Sequence, residues 1–122
     1  MKALRHHLGD NVCGVVVGYP TVFGLIEDVV AISAATQQVG ALTLSVTTEA
    51  VALGIFKARG ELGVNNAVAE GQSLGIPLSY GGQCLELFAC RDRNVRKMAG
   101  RLVGETVDQD GRRGFVLNLA HA

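Results

Sequence analysis

Apolar positions in this chain cluster in short, β-branched runs separated by longer stretches whose apolar residues recur at helical spacing. The run "VCGVVVGY" (12–19) is almost continuously apolar, as expected of a strand buried on both faces. It is followed by "PTVFGLIEDVVAISAATQQVG" (20–40), where Pro20 marks a turn and Leu25, Val29, Ile32 and Val39 fall on one helical stripe. Glu27 and Asp28 suit the first turn of that helix, and Gly40 suits its carboxyl-terminal stop. "ALTLSVTT" (41–48) predicts a second strand, "EAVALGIFKARGELG" (49–63) a short helix broken at Gly54 and Gly60, and "NNAVAEG" (65–71) a weaker third strand. "CLELFAC" (84–90) predicts a further strand and "RDRNVRKMAG" (91–100) a charged surface helix. "LVGETVD" and "RGFVLNLA" predict a hairpin closed at Asp110-Gly111. Strands alternating with helices predict an α/β fold with a mostly parallel, doubly wound sheet and a carboxyl-terminal hairpin.

Composition narrows the function classes. The chain has 122 residues, enough for one core, so one α/β domain over 1–122 is expected. Eleven basic and 11 acidic residues leave no net field for a polyelectrolyte, which argues against a nucleic-acid partner. No apolar run approaches the length needed to cross a bilayer, and the first residues lack an export signal, so no membrane role and a cytoplasmic location are expected. Cys13, Cys84 and Cys90 have neither C-x-x-C spacing nor an even count, so they are expected to be reduced thiols serving as small buried hydrophobes at strand or strand-edge positions. His6, His7 and His121 have no metal-ligand spacing and are expected to be solvated; no metal site is assigned.

The stretch "EGQSLGIPLSYGGQ" (70–83) places four glycines between apolar runs. Such loops bring a backbone close to a phosphate or cofactor, yet neither G-x-G-x-x-G nor G-x-x-x-x-G-K-[ST] is present. The pattern alone therefore reads as loop geometry. Lys57 and Lys97 could in principle bond covalently to a carbonyl cofactor, but neither has an apolar pocket pattern around it.

Taken jointly and in order, "YPTVFGLIEDV", "GALTLSV", "ALGIFKARGELG", "EGQSLGIPLSYGG" and "GRLVGETVDQDGRRGFVL" are similar to the P-protein of the glycine cleavage system, in its subunit 1 branch. The resemblance implies an aspartate-aminotransferase-like (fold type I) large domain, of which this chain would be an incomplete part. It implies a share in pyridoxal-phosphate-dependent decarboxylation of glycine, with the aminomethyl group passing to the lipoyl arm of the H-protein. It also implies subunit 2 as partner, and that subunit carries the cofactor-binding lysine. Gln72 and Ser73 stand at the approximate places of the His and Lys of the corresponding subunit 2 loop, so this chain would hold no anchor of its own. The turn Ser79, Tyr80, Gly81 and Gly82 would reach the cofactor phosphate across the interface, with Arg101 as a second contact. No residue of this chain is assigned a catalytic role.

Some positions depart from the family pattern. Prolines are usual where this chain has Ala50, Ala58, Arg59, Gln83 and Ala99, and an aspartate where it has Glu49. Asn65 and Asn66 stand in place of an acidic and an apolar residue, and if buried they need hydrogen-bond partners. The isolated chain is expected to be inactive and to self-associate through surface left uncovered. Two further readings are a non-catalytic interaction domain that kept the family fold and a stand-alone nucleotide-binding domain.

Overall fold

The computed structural model describes residues 1–98 and 100–119, so His121 and Ala99 lie outside the described residues. It divides into two compact units, Met1–Cys90 and Arg91–Ala122.

The first unit begins with a short helix α1 (Lys2–His7), which the polar opening of the chain did not predict. The β-branched run then forms β1 (Gly14–Gly18), because extended backbone suits residues with two heavy atoms on Cβ. Helix α2 (Val29–Gln38) starts later than its periodicity suggested. Asp28 is its N-cap and accepts from the Ala31 N–H at 3.0 Å, so Leu25 and Glu27 fall in the preceding loop. Gly40 does mark the stop, at φ +72°, where a side chain would be strained. Strand β2 (Leu42–Thr47) follows. The expected helix over 49–63 is reduced to a 3-10 turn at Ala50–Gly54, capped by Glu49. Strand β3 (Asn66–Glu70) leads into a second 3-10 turn at Gln72–Leu74 and the glycine-rich loop, and β4 (Glu86–Cys90) returns.

The strands lie side by side in chain order, β1-β2-β3-β4. The first three are parallel and β4 runs antiparallel to β3, with Val68 opposite Phe88. Asn65 finds its partners at the β2 edge: its N–H donates to the Thr43 carbonyl and its Oδ1 accepts from the Thr43 N–H at 2.8 Å.

One sheet face carries Val15, Val17, Thr43, Ser45 and Thr47. Val17 packs with Tyr19, Val29, Ile32, Leu62 and Val64, and Leu4 and Phe56 lean on that cluster. Much of this face is hydroxylated, yet Thr43, Ser45 and Thr47 are buried. The Thr36 hydroxyl of α2 lies within hydrogen-bond reach of the Ile32 and Ser33 carbonyls and of the Thr43 hydroxyl, so the helix seats on the sheet through a bonded threonine pair.

The second unit contains one turn of helix, α3 (Asp92–Val95), where a longer helix was expected, and the predicted hairpin of β5 (Arg101–Val107) with β6 (Arg113–Leu119). Its turn is held by the Asp108 Oδ1, which accepts from the Asp110 and Arg112 N–H groups, and by Gly111 at φ +76°.

The cysteines depart from expectation. Cys13 and Cys84 are exposed rather than buried, because they stand just before β1 and β4, ahead of the paired strands. Cys90, the last residue of β4, is half-buried.

Candidate functional site

Three parallel strands end at one edge, so the loops following β1, β2 and β3 gather there, the place where open α/β sheets hold ligands. Tyr19 follows β1 and is buried; Thr47 ends β2 and is buried beside it. Arg59, from the β2–β3 connection, lies across both and is only 7% exposed. Its Nη2 donates to the Tyr19 carbonyl at 3.3 Å and to the Thr47 hydroxyl at 3.2 Å, and its Nη1 donates to the Lys57 carbonyl at 3.0 Å. The guanidinium stacks 4.4 Å from the Tyr19 ring centroid and 5.7 Å from that of Phe56. Burial lowers its pKa, with Tyr19 opposing. Among the described residues no carboxylate pairs with it, so carbonyl, hydroxyl and ring faces replace the counter-ion.

Beyond β2, the exposed Glu49 carboxylate accepts through Oε1 from the Val51 N–H at 3.1 Å and from the Ser73 hydroxyl. The glycine-rich loop after β3 is therefore tied to the loop after β2. The Ser73 bond, then the Val51 bond, holds the Glu49 pKa below its ordinary value of 4.5. A depressed carboxylate pKa contributes stability above the unfolded value and loses it as pH falls through the folded value. The tie should thus be intact above pH 4.5 and released below it. In acid titrations of unfolding, Glu49→Gln is expected to remove part of the pH dependence below pH 4.5; an unchanged titration curve would contradict the assignment.

The loop itself is closely built. The Gly71 N–H donates to the Leu85 carbonyl, and a Cβ on Gly71 would lie 3.1 Å from that oxygen and from the Leu87 side chain. At the tip, Ser79, Tyr80 and Gly81 are successively left-handed, at φ 39°, 56° and 82°. The Gly81 and Gly82 N–H groups both turn inward to the Leu78 carbonyl, at 2.9 and 3.3 Å. The Ser79 and Tyr80 side chains face solvent. Of the residues expected to meet a phosphate, these four are thus contiguous on one turn, with the hydroxyl and phenol outward and two N–H groups engaged within the turn. Arg101 opens β5 in the second unit. His6 and His7 are exposed on α1, and among the described residues no three His, Cys, Asp or Glu side chains converge as for a metal. Among those residues no helix is long and apolar enough to cross a membrane.

Sequence reasoning placed the loop but not its ties. Glu49, Ser73 and Arg59 were visible only as departures from a pattern, and nothing local said that they would meet Val51, Thr47 or Tyr19.

The class follows from this architecture: a mostly parallel sheet with an antiparallel strand after the glycine-rich loop is part of a fold type I large domain. The same fold occurs in the crystal structure of glycine decarboxylase (P-protein) of the glycine cleavage system in inhibitor-bound form, with a TM-score of 0.82 and 42% identity over 92% of this chain and 25% of that one. Residues 2–121 match the family "Glycine cleavage system P-protein", and the chain belongs to that family. Similar curated proteins bear the name "Probable glycine dehydrogenase (decarboxylating) subunit 1". That of Phenylobacterium zucineum is 58% identical over 87% of this chain and 24% of its own length. That of Caulobacter vibrioides is 55% identical over 91% of this chain and 25% of its own. The chain spans about a quarter of the length of the curated relatives it matches.

Proposed function

We propose that this chain forms part of a P-protein subunit 1 large domain, acting with subunit 2 in glycine decarboxylation and aminomethyl transfer to the lipoyl H-protein. The observation that carries the reading is the family match over residues 2–121, joined to a glycine-rich loop that holds a serine, Ser73, bonded to Glu49. When bound, pyridoxal phosphate supplies the electron sink for loss of carbon dioxide from glycine.

This chain's residues fit a supporting role toward that cofactor. Loop 71–85 brings no carboxylate to repel a phosphate, and the Ser79 hydroxyl and Tyr80 phenol stand outward to donate to one. Gly81 and Gly82 shape the turn, their N–H groups becoming donors only if the turn opens from Leu78. Arg101, which opens β5 of the second unit, is the cationic residue assigned to a phosphate in this reading. The covalent anchor belongs to subunit 2, since Lys2, Lys57 and Lys97 are all exposed. A cytoplasmic setting, with reduced thiols, accompanies this reading.

A chimera of the Caulobacter vibrioides subunit 1 in which this chain replaces the matched quarter tests it. With subunit 2 and H-protein the chimera is expected to release carbon dioxide from glycine. Ser79→Ala or Gly81→Val within it is expected to weaken cofactor retention about tenfold. Unchanged cofactor affinity leaves the loop as a structural turn. A chimera that assembles without turnover supports instead the non-catalytic interaction domain.

Covalent labelling addresses the anchor separately. Treating this chain with pyridoxal phosphate and borohydride is expected to give only trace labelling, spread over exposed lysines. Stoichiometric labelling of Lys57 or Lys97, mapped by mass spectrometry, would contradict the absence of an anchor.

A further inference from the structure

The charges of the chain are balanced in total but not in place. Met1–Cys90 holds four basic and seven acidic residues, and Arg91–Ala122 seven basic and four acidic, so the two units carry net charges of −3 and +3 with His neutral. Within the second unit the excess lies in one stretch. Arg91, Arg93, Arg96 and Lys97 stand within eight residues against a single acid, Asp92, and all five are exposed. The other acids of the unit are engaged: Glu105 pairs with Arg113 at 3.3 Å, Asp110 lies 3.9 Å from Arg112, and Asp108 accepts from backbone N–H groups. Among the described residues no carboxylate pairs with Arg93, Arg96 or Lys97.

Local structure brings these cations together. After α3 the Arg96 backbone stays in the right-handed helical region, and the Lys97 and Met98 N–H groups donate to the Asn94 and Val95 carbonyls at 2.9 and 3.2 Å, so the coil continues through Met98. Val95 and Met98, three apart, are half-buried, while Arg93, Arg96 and Lys97, at i, i+3 and i+4, are exposed. Neighbours at those spacings lie about 5–6 Å apart, inside one Debye length of about 8–10 Å, so their fields add. Like charges so placed repel and weaken the coil that carries them. The cluster thus opposes its own local fold, and an external anion relieves it.

We infer that segment 91–98 is a docking surface for an acidic protein, whose clustered carboxylates meet Arg93, Arg96 and Lys97. The side chains favour a protein over other polyanions. Three of the four basic residues are arginine, whose planar fork takes a carboxylate through two parallel bonds. No aromatic residue lies in 91–101 on which a nucleic-acid base could stack. A coil this short neither fills a DNA groove nor lies along a membrane interface. Such a patch draws in an acidic partner before contact, at a rate that falls as salt rises. The surface is separate from the phosphate contact assigned to Arg101, which belongs to β5.

The experiment is fluorescence anisotropy of a labelled oligoglutamate of about ten residues titrated with the full chain, at low and at physiological salt. Binding is expected at low salt and to be about tenfold weaker at physiological salt. Arg93→Glu combined with Arg96→Glu is expected to weaken binding about tenfold or more with an unchanged melt, since both side chains are exposed, and the corresponding Gln pair to weaken it less. Arg112→Glu, a charge reversal at the hairpin of the same unit, is expected to change binding little. No binding at low salt overturns the inference, as does equal binding by the doubly reversed chain. Tighter binding of an oligothymidylate or of phosphatidylserine vesicles, lost in the same variant, overturns it by assigning the surface to nucleic acid or to a membrane. Salt-sensitive self-association in place of peptide binding, removed by that variant, also overturns it and assigns the surface to the acidic first unit of a second copy.

Discussion

Gly63→Ala is expected to lower the stability of the first unit by about 2–5 kcal/mol, a large share of the ~5–15 kcal/mol that holds an ordinary domain folded. Gly63 sits at φ +83° between Leu62 and Val64, both members of the core cluster. A left-handed conformation costs a side-chain-bearing residue about 1–2 kcal/mol. The added Cβ would also stand 3.0 Å from the Cβ of Ser33, a buried residue of α2, and such overpacking costs about 1–3 kcal/mol more. Neither the helix nor the segment 62–64 can retreat without separating Val29 and Ile32 from Val64. Gly40→Ala separates the two causes. It has φ +72° but no atom within 4 Å of its added Cβ, so urea unfolding should show only the conformational part. Equal midpoints for Gly63→Ala and the parent chain would refute the account.

Arg59→Ala is expected to cost about 2–4 kcal/mol, and Arg59→Met distinctly less. Alanine removes the donors to Thr47, Tyr19 and Lys57 and leaves a gap beneath the Tyr19 ring. The Tyr19 carbonyl keeps the Thr47 hydroxyl as donor at 3.0 Å, which limits the loss. Methionine retains contact with the two rings, and it removes a buried charge together with a buried Nε that has no partner among the described residues. Denaturant melts of the two variants decide the matter: a methionine variant as unstable as the alanine one would mean that charge and hydrogen bonds, not packing, hold the residue there. The same pair bears on the site. Arg59 joins the ends of β1 and β2, so its loss should increase proteolytic cleavage in the 20–28 loop before it affects β3.

What the sequence determined by itself is the set of strands and their punctuation. Short apolar or alternating runs at 12–19, 41–48, 65–71 and 84–90 each contain a strand, and Gly40 and Asp110-Gly111 mark a helix stop and a hairpin turn. These are local properties, set by sterics at each residue and by its immediate neighbours. The family pattern was legible for the same reason, as a series of short segments in fixed order. Tertiary structure decided what depended on distant partners. The stripe through Leu25 and Val29 promised a helix from the start of its segment, but Asp28 capped it later and left Leu25 in a loop. Thr43, Ser45 and Thr47 are polar by composition and buried in fact; Thr43 meets the Thr36 hydroxyl of α2, and Thr47 donates to the Tyr19 carbonyl and accepts from Arg59. Arg59 is charged and would ordinarily be solvated, yet Tyr19, 40 residues earlier, supplies both a ring and a carbonyl that make burial tolerable. Ser73 reaches Glu49 across 24 residues of chain. Such pairings require loop closure that no window of sequence reports, so the candidate site could be located at its glycine-rich loop but assembled only in three dimensions.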